Sequence, residues 1–100
     1  MAVSKIPIPA MKLCYKDITK DTSSDPVPAS TVKDFTFNVE DSNGTFLGCI
    51  STWLGGTGSK IALVGVMTPS TNTVQVRIQN LSSSAVSMSD IIIRCIYAYN

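Results

Sequence analysis

Residues 73–80 alternate strictly, with Val74, Val76 and Ile78 on one face and Gln75, Arg77 and Gln79 on the other. Such a period of two predicts a strand with one dry and one wet face. The runs on either side of it, residues 60–67 and 90–99, carry apolar residues on both faces. A small sheet domain has few places to bury both faces of a strand, so this pattern predicts that the chain covers surface against copies of itself. Further back, Phe35, Phe37 and Val39 alternate with Thr36, Asn38 and Glu40, predicting a strand over residues 32–40. Residues 12–18 read as a first strand, with Leu13 and Tyr15 on one side, and residues 45–54 as a third.

The intervals between these runs carry turn chemistry. Residues 19–30 are rich in Thr, Ser and Asp and hold Pro26 and Pro28. Asn43-Gly44 is a strong hairpin signal, because both residues accept positive φ. It predicts that the second and third strands pair antiparallel. Residues 55–59, Gly-Gly-Thr-Gly-Ser, read as a flexible loop. Residues 82–90 form a Ser-rich turn without a helical stripe. Short strands separated by turns predict an antiparallel sandwich or small barrel.

Charged residues make up 15% of the chain, well under the usual share of about a quarter, and the net charge is +1. No basic run is present to follow a phosphate backbone, so nucleic acid is not expected as a partner. The longest apolar run, residues 61–67, is far short of the roughly 20 residues that span a bilayer, so membrane insertion is not expected either. Residues 1–10 lack the continuous apolar stretch of a signal peptide, and synthesis in a cytoplasm is expected.

Catalysis finds no support. The chain has no His, which removes the commonest general base and every Ser-His-Asp arrangement. The seven acids lie mostly at strand ends or in turns, and no glycosidase-like pair stands out. An enzyme is therefore not expected, and neither is a cofactor. Residues 55–60 have the wrong spacing and the wrong context for a phosphate-binding loop. Cys14, Cys49 and Cys95 lack CxxC spacing, and they read as reduced, metal-free, buried small hydrophobes. A Cys49–Cys95 disulfide is the alternative. Asn43 and Asn80 head glycosylation sequons, which without a secretory signal read as accidental.

Two groups of residues remain as candidates. Trp53, the only Trp, sits at a strand end beside the Gly-rich loop, where it either closes the core or stacks on a ligand. With Thr57, Ser59 and Lys60 it forms the candidate ligand-binding loop, predicted to lie at the opposite pole from Asn43-Gly44. Ile92, Arg94 and Ile96 share one face of the last strand and form the candidate oligomer interface. Arg94 needs a carboxylate or several carbonyls there. Tyr97 and Tyr99 share the opposite face with Ile91, Ile93 and Cys95, and their hydroxyls need polar partners.

From Phe35 onward the chain resembles the C-terminal head domain of bacteriophage tail fibres and related receptor-binding virion proteins. The resemblance rests on Phe35-Thr-Phe-Asn-Val39, Trp53-Leu-Gly-Gly56, Ile61-Ala-Leu-Val-Gly-Val66, Thr73-Val-Gln-Val-Arg-Ile-Gln-Asn80-Leu-Ser-Ser and Ile91-Ile-Ile-Arg-Cys-Ile-Tyr97. It covers about two-thirds of the chain and contains no catalytic signature. It implies a jelly-roll-like antiparallel β-sandwich of six to seven strands that forms homotrimers. It also implies a virion location and a host cell-surface glycan or protein as the ligand. In this reading residues 1–30 are an extended lead-in with a first strand and loop, and residues 31–100 are the head, in one domain overall. The other reading is a structural decoration, capping or head-fibre subunit that contacts other virion proteins.

Overall fold

The computed structural model describes residues 12–56 and 60–99. Six strands follow in order: β1 (Lys12–Asp21), β2 (Val32–Asn38), β3 (Gly44–Leu54), β4 (Ile61–Ser70), β5 (Thr73–Asn80) and β6 (Asp90–Tyr99). They form two antiparallel sheets of three strands, ordered β1-β6-β3 and β2-β5-β4. The architecture is all-β and compatible with a β-sandwich.

The two centre strands supply the core. Val74, Val76 and Ile78 of β5 are fully buried, as are Ile91, Ile93, Cys95 and Tyr97 of β6. Phe35 and Phe37 join them from β2, while Val27 and Met88 enter from loops. Burying each Ile contributes about 1.5–3 kcal/mol. Tyr97 meets its polar requirement by donating to the Val39 carbonyl at 2.6 Å. Among the described residues, no buried side-chain nitrogen or oxygen lacks a partner.

Asn43-Gly44 does not close a hairpin. β2 pairs with β5 and β3 pairs with β6, so the Asn43-Gly44 turn carries the chain from one sheet to the other. The dry face of β2 needs the dry face of β5 beside it, and that global match overrides the local turn signal. Successive strands change sheet at every connection except β4–β5, a two-residue turn in which Asn72 takes a φ of 57°. Asn tolerates this left-handed conformation better than most residues.

The connections separate by length. Residues 22–31, 55–56, 60 and 81–89 gather at one end, tied together by backbone bonds such as Val27 N–H to Val86 O at 2.9 Å and Leu81 N–H to Lys60 O at 2.8 Å. The short connections 39–43 and 71–72 lie at the other end. Residues 12–30 belong to the same body: β1 pairs with β6 along its whole length, and Val27 sits in the core.

The sides of the body differ too. At the β1–β2 side, Lys16, Lys20 and Lys33 lie over the rings of Tyr97, Phe37 and Phe35, at 5.2, 5.7 and 5.5 Å. Lys20 Nζ also donates to the Thr36 carbonyl at 2.9 Å, linking the sheets. The lysine stems thus close the core on this side while their charges stay in water. Among the described residues the β3–β4 side has no such cover.

Candidate functional site

Arg94 stands in the middle of β6, on the face turned away from the core. Its cross-strand partners are Asp17 on β1 and Ser51 on β3. Arg94 Nε donates to Asp17 Oδ1 at 2.8 Å and Nη2 to Oδ2 at 3.0 Å. This two-pronged bond fixes the guanidinium plane. The bonds from Arg94 hold the Asp17 carboxyl below its ordinary range, and Asp17 raises Arg94 in return.

Two aromatic rings flank that plane. The guanidinium carbon lies 4.2 Å from the Tyr15 ring centre and 5.2 Å from that of Trp53. Both rings remain open to solvent, Tyr15 by 58% and Trp53 by 44%. Ile92 and Ile96 continue the surface along β6, and Leu13 along β1, 67% exposed. Two bulges in β3 each add a residue, so that Leu47 with Gly48 faces Ile96 and Ile50 with Ser51 faces Arg94. The bulges re-aim side chains at the rim of the sheet.

The outer face of the β2-β5-β4 sheet is unlike it. Its centre holds the equivalent pair, Arg77 Nε to Asp34 Oδ1 at 2.8 Å and Nη2 to Oδ2 at 3.1 Å, but the neighbours are Gln75, Gln79, Thr36 and Asn38. This outer face is mostly polar, although Val32 and Met67 lie on it opposite Gln79 and Gln75, and it shows no aromatic ring among the described residues; the other sets its pinned ion pair beside two rings.

The predicted residues divide differently from the sequence reading. Trp53 does not close the core, because its partner Ile92 points outward; Leu54, one position on, packs against the core instead. Trp53, Ile92, Arg94 and Ile96 therefore form one patch, although they were expected in two separate sites. Thr57 and Ser59 lie outside the described residues. Lys60 is exposed immediately before β4, which belongs to the other sheet.

Gly55 is held in place. Its N–H donates to Asp90 O at 2.9 Å and its carbonyl accepts from Ser89 N–H at 3.0 Å. A Cβ at Gly55 would fall 2.2 Å from Asp90 Oδ1, so the glycine serves close packing. Asn80, head of a sequon, is buried. The cysteines differ among themselves: Cys95 is buried, Cys49 is half-buried and Cys14 is exposed, against the expectation of three buried thiols. Cys14 is exposed because it lies on β1, an edge strand.

Sequence reasoning singled out Arg94 and its need for a carboxylate but not the partner, Asp17, nor the role of Tyr15. Leu13 and Tyr15 at i and i+2 were the available signal. No group of His, Cys, Asp and Glu among the described residues is arranged to hold a metal. No family model, curated protein or solved structure matches the chain.

Proposed function

We propose that this chain is a receptor-binding head domain of a bacteriophage virion fibre, and that it recognises a host cell-surface glycan or protein. The observation that carries this reading is the surface built on Tyr15, Asp17, Trp53 and Arg94. Exposed rings held in fixed positions lose little conformational freedom on binding. Their faces suit the apolar face of a sugar or a partner's side chain, and the spare donors of Arg94 suit hydroxyls or carbonyls. Ile92, Arg94 and Ile96 lie in this same patch. A buried contact between copies there would occlude Trp53, so we assign the patch to the ligand. The finer reading of the fold is a jelly-roll-like sandwich, supported by the repeated change of sheet from strand to strand, and a homotrimer as the working form.

A second reading is a structural decoration, capping or head-fibre subunit, in which a neighbouring virion protein covers the same surface. Leu13, Leu47 and Ile50 favour it, because aliphatic groups suit protein contacts better than sugar contacts.

The test is adsorption of the purified protein to host cells and competition with phage attachment, for the wild type and for Tyr15→Ala and Trp53→Ala. The receptor reading expects wild-type adsorption that both variants lose while remaining folded. A folded wild-type protein that neither adsorbs to cells nor blocks attachment overturns it.

A further inference from the structure

The edges of the two sheets are not alike. β1 and β2 carry Lys12, Lys16, Asp17, Lys20, Asp21, Lys33 and Asp34, seven of the chain's fifteen charged residues. β3 and β4, the edges on the opposite side, carry no charged residue along their combined 21 positions. Isolated edge strands are ordinarily protected by charge, because their free N–H and C=O groups accept another strand. β3 bonds only to β6 and β4 only to β5, so each presents such a row, interrupted by the register irregularities of both strands and by Pro69 of β4, which has no N–H, but by no charge.

The apolar groups follow the same division. Among the described residues, six of the ten exposed large hydrophobics belong to these strands, including Leu47, Leu63, Val64 and Val66. Leu63 and Val66 are opposite the buried Ile78 and Val76, so they face inward and are nevertheless exposed, by 44% and 38%. The side is open: a cleft of ≈ 540 Å³ runs between residues 45–48 of β3 and residues 68 and 70–72 at the end of β4. Among the described residues no lysine stem is seen over it as on the β1–β2 side.

We propose that the β3–β4 side is where copies of this chain join, with a second copy's own uncharged side as the occupant. Charge argues for this. A partner must bring no charge against Leu63 and Val66, and β3 and β4 are themselves neutral extended segments that meet this requirement. Length argues the same way. β3 and β4 have 11 and 10 residues, each about 33 Å long, so the edge of one copy can run beside the whole of the other edge on the next. The two edges differ from each other, so a contact of β3 on one copy with β4 on the next is heterologous and closes into a ring, such as a trimer, when the rotation permits. The proposal rests on the oligomeric part of the reading above and not on its receptor.

Light scattering coupled to gel filtration tests it, on the full chain at micromolar concentration. The wild type should elute as an oligomer. Val64→Lys should elute at the mass of one chain with an unchanged far-UV circular dichroism spectrum, and Val64→Thr should remain oligomeric. Thr68→Lys, at an exposed position of the same edge, carries the same expectation should Val64→Lys fail to fold. Ile92→Asp, on the aromatic face, should leave the oligomer intact. A monomeric wild type overturns both this proposal and the oligomeric reading. An oligomer that survives both lysine variants but falls apart in Ile92→Asp overturns this proposal alone and places the contact on the outer face of β6.

Discussion

Asn80 Nδ2 donates to the Val27 carbonyl at 3.0 Å, and this buried bond joins the end of β5 to the loop that precedes β2. The same amide also donates to the Ser84 carbonyl at 2.9 Å, while Oδ1 accepts from the Ser82 N–H at 2.8 Å. One side chain thereby organises two of the three long loops. Replacing Asn80 with Ala orphans carbonyls in a buried place, each costing about 1–3 kcal/mol. Asn80→Ala should lower unfolding stability by about 3 kcal/mol in urea titration. A loss below about 1 kcal/mol would show that water or loop rearrangement replaces the amide.

Tyr99 Oη donates to Asp41 Oδ2 at 2.6 Å, and Lys16 Nζ reaches the same oxygen at 3.0 Å. The Tyr99 hydroxyl, the Asn43 N–H and Lys16 together pull the Asp41 carboxyl down to about 2, and the carboxylate pushes the Tyr99 hydroxyl up to about 12. A depressed carboxyl contributes stability above its unfolded value near 3.8, and this contribution is lost as pH falls from about 4 toward 2. The raised phenol contributes below pH 10, and its part is lost as pH rises from 10 toward 12. Tyr99→Phe should flatten the melting temperature in both windows. An unaltered pH profile in that variant would mean the bond does not bias folding.

Trp53→Ala distinguishes a surface ring from a core plug. The Trp53 ring lies over Arg94 and outside the core, so its loss should cost about 1 kcal/mol, the scale of a partly exposed cation–π contact. Ile93→Ala, in the core, should cost about 2–5 kcal/mol. Chemical denaturation of both variants is the measurement. Equal losses would return Trp53 to the core.

The cysteines should separate in reactivity. Cys14 is exposed, whereas burial and the neighbouring Cys49 push the Cys95 thiol up to about 11. An alkylating reagent at neutral pH should modify Cys14 first and leave Cys95 until unfolding, as read by intact mass and peptide mapping. Cys49 and Cys95 are nevertheless direct cross-strand partners. A native mass two hydrogens low, with the bridge mapped to this pair, would show that they are oxidised rather than free.

The strands were legible in the sequence because each strand's period is a local property. Val74, Val76 and Ile78 alternate within eight residues, and β5 and β6 begin and end where the pattern predicts. That Ile91, Ile93, Cys95, Tyr97 and Tyr99 share one face of β6, and that the two tyrosines need polar partners and Arg94 a carboxylate, followed from the same spacing; which of its two apolar faces enters the core did not. Pairing was not legible in this way. Asn43-Gly44 signals a turn but cannot say which strand lies beside which, since that depends on matching apolar faces over the whole chain. For the same reason Trp53 could not be assigned to the core or the surface. Shifting by one position along a strand reverses its direction, and only the register with Ile92 decided that it points outward. The meeting of Tyr15 and Asp17 with Arg94, 77 residues beyond Asp17, likewise depends on β1 and β6 being neighbours. The absence of charge from residues 44–54 and 61–70 was in the sequence throughout, but it acquired meaning only when the fold placed both segments as open edges on one side.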